Sequence, residues 1–258
     1  MIIQNDETLE DLQLQGLKII QKKDGFRFGM DSVLLADFAR IHQNDSVVDF
    51  GTGTGVIPIL LAGRNKGKNI IGIELIPEMA EMASRSVLLN KLENRIQIIC
   101  GDVKDTANWL APGSIDSIVC NPPYGIPGRT LNNESEMKRI ARHQIQDTLP
   151  VFFATAWKLL KGKGKVFLVY PAPQMLELMD QLRKNRLEPK HFRLVYPYID
   201  RSPVLVLLEA VKDARPMLHP LPPLILYNQD RSLTNELKSI YHVDEQTKVG
   251  FTPRSLAE

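Results

Sequence analysis

Four consecutive residues, Asn121, Pro122, Pro123 and Tyr124, have side chains and carbonyls suited to activating a planar amine. Such a nitrogen is a poor nucleophile, because its lone pair is delocalised into the attached ring. Two acceptors aimed at its N–H bonds draw it towards tetrahedral geometry and free the lone pair to attack an electrophilic carbon such as a sulfonium methyl. The Asn121 side-chain oxygen can be one acceptor and the Pro122 carbonyl the other. Pro123 restricts Pro122 to an extended conformation, which fixes where that carbonyl points. Tyr124 can stack on the ring that carries the amine. This chemistry runs on positioning and electrostatics, with no covalent nucleophile and no metal. The competing reading is a Pro-Pro turn with incidental neighbours. The location argues for the site. The tetrapeptide directly follows the apolar run Ile115–Cys120, and open α/β sheets bind ligands outside the carboxyl ends of their strands.

A second group of residues lies upstream. In Val47–Ala62, VVDFGTGTGVIPILLA, a strand ends with Asp49 and Phe50, and glycines follow at 51, 53 and 55 before a helix begins. Glycine lets the chain turn tightly and approach a ligand with no Cβ in the way, beside the free N–H groups of a helix start. Val56 stands where the third glycine of a dinucleotide fingerprint would fall, so the pattern is D-x-G-x-G-x-G, with Thr52 inside it. Glu74 closes the next strand, where a carboxylate can accept both hydroxyls of a ribose; an ordinary polar strand end is the alternative. Gly101, Asp102 and Val103 follow the third strand. Asp102 is placed to accept from an adenine amino group, to cap a helix, or both.

These groups require a scaffold. Ser46–Phe50, Asn69–Glu74, Arg95–Cys100, Ile115–Cys120, Lys165–Tyr170 and Val204–Glu209 read as strands rich in Ile and Val. Helical patterns at Pro77–Asn90, Leu149–Leu160 and Gln174–Arg186 alternate with them. The expectation is an α/β fold with a mostly parallel sheet and helices on both faces. His191–Val195 and Val204–Glu209 are too close in sequence for a helical crossover and predict an antiparallel C-terminal hairpin. Residues 1–44 form an N-terminal extension, in which Asp31 or Ser32 is expected to cap a helix. Residues 45–210 form the catalytic core, and 216–258 a tail packed on it, making a single domain of 1–258.

The composition is ordinary: 43% hydrophobic, 24% charged and a net charge of +2 from 32 Lys plus Arg against 30 Asp plus Glu. A nucleic-acid partner would need its positive charge gathered on one face. No apolar run approaches the roughly 18 residues of a membrane helix. Asp6, Glu7 and Glu10 stand where a secretory signal would be basic and then apolar, so a cytoplasmic protein without a membrane partner is expected. Cys100 and Cys120 lack a matching His pattern, which predicts two small buried hydrophobes and no metal site.

At DFGTGTG and NPPY the chain resembles the class I amino-methyltransferases, whose Asn-Pro-Pro-Tyr members act on adenine N6, guanine N2 or glutamine N5. Phe28–Ser32 before a Leu-Leu-Ala helix, NPPYG, and Ala141–Arg142–His143 make it similar to the tRNA1(Val) adenine-37 N6-methyltransferase family over roughly residues 15 to 245. The resemblance implies a Rossmann-like, seven-stranded methyltransferase sheet, S-adenosyl-L-methionine as cofactor and a tRNA substrate. It implies cofactor contacts from Asp49, Gly51, Thr52, Gly53, Gly55, Glu74, Asp102, Val103 and Asn121, with Asp31 near the cofactor's amino-acid end. Arg129, Arg139, Arg142 and His143 lie in the polar segment beyond the tetrapeptide and could meet phosphates; a solvated helix face explains them equally well. Protein glutamine N5 and ribosomal guanine N2 remain rival targets. The glutamine enzymes usually carry a helical N-terminal substrate domain, for which Leu9–His42 is short. A non-catalytic RNA-binding module would have no use for an intact Asn121, Tyr124, Asp49 and Glu74.

Overall fold

The structure is a computed structural model that describes residues 3–24, 29–122 and 145–242. Pro123, Tyr124, Arg129, Arg139, Arg142 and His143 lie outside the described residues.

Seven long strands form the body of one sheet. They are β3 (Ser46–Phe50), β4 (Asn69–Glu74), β5 (Ile96–Cys100), β6 (Ile115–Cys120), β7 (Leu160–Pro171), β8 (Leu187–Tyr196) and β9 (Leu205–Lys212). Their spatial order is β5-β4-β3-β6-β7-β9-β8. All neighbours in the first five are parallel, and β9 runs antiparallel to both β7 and β8. Chain order reverses at β3, which leaves β4 on one side of it and β6 on the other. That switch point is where an open α/β sheet leaves a crevice at its carboxyl end. The loop after β3 and the residue after β6 both open into it.

The alternation of side chains along each strand divides the core into two layers. Val47, Val119, Phe167 and Leu207 lie in the apolar layer shared with α1 (Met30–Phe38) and α2 (Val56–Gly63), which also takes Val87 from α3 (Pro77–Leu89). Val48, Ile118, Val166 and Leu208 face the other way, into a layer shared with α4 (Ile145–Leu159) and α5 (Met175–Lys184). Each Leu, Ile or Phe buried there contributes about 1.5–3 kcal/mol. Among the described residues, no helix is long and apolar enough to cross a membrane.

Three features depart from expectation. First, α1 begins at Met30, with Gly29 as its N-cap and no capping side chain; Asp31 lies inside the first turn, and Ser32 is buried. The apolar packing of Met30 sets the start, and the extended backbone of Gly29 needs no side chain to enter it. Second, the N-terminal extension holds an antiparallel hairpin of β1 (Glu7–Asp11) and β2 (Lys18–Lys22). Its Glu7 is buried because Arg85 on α3 donates to both carboxylate oxygens, at 2.7 and 2.6 Å. Third, Cys100 is exposed, at the end of a strand near the edge of the sheet, whereas Cys120 is buried as expected.

The segment after β9 adds two short strands alongside β8, β10 (His219–Pro220) and β11 (Leu224–Ile225), and a last helix α6 (Asn235–Tyr241). Leu224, Leu226, Leu237, Ile240 and Tyr241 join the same core layer as α1 and α2.

Helix α1 matters most for the site and is fixed at its far end. Lys66 Nζ donates to the carbonyls of Ala36, Asp37 and Ala39 at 2.9, 2.7 and 2.7 Å, satisfying the orphan acceptors of the helix terminus. Just beyond, Arg40 donates to Glu209 Oε2 on β9 at 2.6 and 3.1 Å.

Candidate functional site

The glycine loop is built by its own backbone and by one carboxylate. Gly51, Gly53 and Gly55 have φ of 69°, 59° and 87°, the left-handed region that glycine alone enters without strain. The N–H groups of Gly51 and Thr52 both donate to the Ile73 carbonyl, at 2.9 and 3.0 Å, folding the loop back onto β4. No atom would meet a Cβ at Gly51 within 4 Å, so the loop's outer face is open to a ligand. At Gly55 a Cβ would lie 3.2 Å from the Ala83 Cβ on α3. That third glycine is buried and brings α2 close to α3.

Glu74 does more than the sequence suggested. It is buried at the end of β4. Its Oε2 accepts from the Gly53 N–H at 2.8 Å and its Oε1 from the Ile76 N–H at 2.9 Å. Burial raises its pKa, opposed by these N–H groups and that of Leu75. Each oxygen has a further lone pair, the acceptor capacity that ribose hydroxyls need. Glu74→Gln would turn one of those acceptors into an NH2 facing a backbone donor. We expect it to destabilise the protein by about 1–3 kcal/mol, read by urea unfolding, and to weaken cofactor binding as well.

Asp49 presents a different case. It is fully buried in the middle of the sheet, opposite Gly72 on β4 and Val119 on β6, and among the described residues neither carboxylate oxygen has a hydrogen bond of good geometry. Burial pushes its pKa up to about 7; the nearby Thr52 hydroxyl opposes this and the Glu74 charge adds to it. An unpaired carboxylate in such a place is costly unless a cation arrives to meet it. Burial also raises the Cys120 thiol well above its usual value, with the Asp49 charge adding to it, so the thiol stays protonated and inert.

Asp102 follows β5 and caps the short helical turn Val103–Asn108 by accepting from the Lys104 N–H at 3.0 Å, while Lys104 Nζ pairs with its other oxygen at 2.9 Å. It is therefore a cap with one side still accessible, and Val103 is buried beneath it. The Gly101 N–H donates to the Glu74 carbonyl at 2.8 Å, which ties the end of β5 to that of β4.

Asn121 stands at the carboxyl end of β6, one residue after Cys120. Its Nδ2 donates to Ser32 Oγ on α1 at 3.0 Å, and its Oδ1 is buried without a partner among the described residues. Asp31 Oδ1 accepts from the Ser32 N–H at 2.8 Å. Asp31, Ser32 and Asn121 are thus joined, although 89 residues separate the last two. As a lone residue in the sequence, Ser32 reads as a candidate helix cap. The one sequence signal for its role was its place in the Phe28–Ser32 motif.

Known proteins resemble this chain in fold and family. The family model of the TRM5/TYW2 methyltransferase domain matches residues 36–126, from the end of α1 through Asn121. Among solved structures, a "predicted O-methyltransferase" from Agrobacterium tumefaciens superposes with a TM-score of 0.68 at 22% identity, covering 83% of this chain and 96% of that one. TYW2 from P. horikoshii does so with a TM-score of 0.57 at 17% identity, covering 82% and 73%. At those identities the likeness defines the fold, which is that of the class I methyltransferases, as the strand order independently indicates. Two curated relatives are named tRNA1(Val) (adenine(37)-N6)-methyltransferase. That of Parabacteroides distasonis is 29% identical over 199 residues, 76% of this chain and 81% of its own. That of Aliivibrio salmonicida is 30% identical over 163 residues, 62% and 67%. The chain belongs to the tRNA1(Val) (adenine(37)-N6)-methyltransferase family.

Proposed function

We propose that the protein transfers a methyl group from S-adenosylmethionine to the N6 amine of an adenine in tRNA, adenine 37 of tRNA1(Val) being the target that its relatives' names carry. The observation that carries this reading is the Asn121 amide: its NH2 is held by Ser32, and its oxygen is buried with no partner. A buried acceptor left open at the carboxyl end of a strand is what an incoming N–H donor requires.

The residues of this site fit the cofactor. Asp49, with two unpartnered oxygens, is a counter-ion for an ammonium, and Asp31 lies on the same side as a second anion for the amino-acid end. Glu74 takes the ribose hydroxyls, the loop of Gly51, Thr52 and Gly53 lets the ligand approach the backbone, and Asp102 with Val103 receives the adenine. When bound, S-adenosylmethionine supplies a methyl group on a sulfonium, an electrophilic carbon. The chain's own task is to hold the target nitrogen: Asn121 Oδ1 and the Pro122 carbonyl accept its two N–H bonds, and Tyr124 stacks on its ring. An adenine in a folded anticodon arm must leave its stack to reach this pair. Arg129, Arg139, Arg142 and His143 are the proposed phosphate contacts. A tRNA substrate supports the expectation of a cytoplasmic protein.

The substrate class is tested by supplying labelled methyl donor together with unmodified tRNA, ribosomal RNA and release factor in one mixture. Label is expected in the tRNA fraction; label in release factor or ribosomal RNA would replace the reading with its glutamine or guanine rival.

A further inference from the structure

We infer that Ser32 is a positioning residue that sets the orientation of the Asn121 amide, and through it the acceptor face of the site. This rests on the reading of Asn121 as the acceptor for the target amine. A side-chain amide has two faces of nearly the same shape and opposite character, and the hydrogen bonds around it decide which end points where. Among the described residues the partner of the amide is Ser32 Oγ, which receives its Nδ2 at 3.0 Å.

Ser32 can perform this task because its backbone is held on several sides. It is buried within the first turn of α1, its N–H is taken by Asp31 Oδ1, and the same helix is held at its other end by Lys66 and Arg40. Turned over, the amide would present its NH2 to the incoming amine, donor against donor. It would also leave a buried NH2 without an acceptor, a rarer state in folded proteins than an under-satisfied carbonyl. A serine hydroxyl can accept or donate, so it tolerates either orientation alone. With Ser32 pairing one end, the two orientations differ in which end is left open, and the one that leaves the oxygen open is favoured; without Ser32 both ends are open either way and the preference is lost.

Ser32→Ala should therefore lower kcat about tenfold and the melting temperature by only a few degrees, leaving the cofactor dissociation constant near wild type, and Ser32→Thr, which keeps the Oγ, should recover most of the rate. The decisive variant is Asn121→Asp, which offers an oxygen on either face. In that background Ser32→Ala should lower kcat less than about twofold, because there is no wrong orientation left to adopt. An equal tenfold loss in both backgrounds would make Ser32 a packing residue and overturn the inference. So would full activity of Ser32→Ala in an enzyme that Asn121→Ala inactivates. Should Asn121→Ala itself stay active, the reading of Asn121 fails before that of Ser32.

Discussion

Replacing Asn121 by alanine should cut methyl transfer by about 10²–10³-fold while leaving the protein folded and its affinity for S-adenosylmethionine within about threefold of wild type. The separation of the two effects follows from how Asn121 is held. Its Nδ2 bond to Ser32 is a single neutral hydrogen bond, worth about 1 kcal/mol net. Its Oδ1 already lies buried without a partner, so removing it relieves a comparable penalty. The folded state loses almost nothing on balance. The reaction loses one of the two acceptors that prepare the nitrogen, an interaction made fully only as the nitrogen becomes tetrahedral, and such a loss falls on kcat. Single-turnover rates and calorimetry of cofactor binding on the same preparation measure both quantities. Parallel collapse of the two would show that Asn121 supports the cofactor and not the acceptor.

Asp49→Asn should have the opposite profile, weakening the cofactor roughly a hundredfold while stabilising the free protein at pH 8 by about 2 kcal/mol. The carboxylate has its pKa raised from 3.8 to about 7 by burial. The folded state therefore binds more protons than the unfolded chain between about pH 4 and pH 7, and stability falls as pH rises through that window. The penalty is complete above about pH 7 and absent below about pH 4. An isosteric amide escapes it, less what burying an unpaired amide costs, which leaves the net figure given. The melting temperature of the free variant should rise by ~5 °C at pH 8 and match wild type at pH 4. If a cation is the partner of Asp49, wild-type cofactor affinity should also fall about tenfold from pH 8 to pH 6, and the variant should lose most of that slope. The contrast with Glu74→Gln is diagnostic, because Glu74 holds the Gly53 and Ile76 N–H groups and its loss lowers stability.

What the sequence made legible follows from locality. Strands β3, β4 and β6 match their expected bounds to the residue, because a strand buried on both faces is a continuous Val/Ile run closed by turn residues. The hairpin β1–β2 carries no such local signal. Its residues Glu7, Asp11, Lys18 and Lys22 read as solvated, and Glu7 enters the interior only because Arg85 meets it from 78 positions away. The short strands β10 and β11 are hidden by prolines and are held partly by Arg193, which donates to the Pro222 and Pro223 carbonyls.

The site divides in the same way. Glycines at alternate positions and an acid one βαβ unit later are a local pattern, so the loop and Glu74 could be read directly. That Glu74 clasps the loop, that Asp49 has no partner, and that Ser32 holds Asn121 are facts of three dimensions. No spacing in the chain encodes them, since each depends on elements brought together by the order of the strands.

The most direct test of the central claim is mass spectrometry of the nucleosides released from unmodified tRNA after incubation with the protein and S-adenosylmethionine. N6-methyladenosine, absent when Asn121→Ala is used, is the result expected. N2-methylguanosine in its place, or no modified nucleoside in tRNA from an enzyme that binds the cofactor, would contradict it.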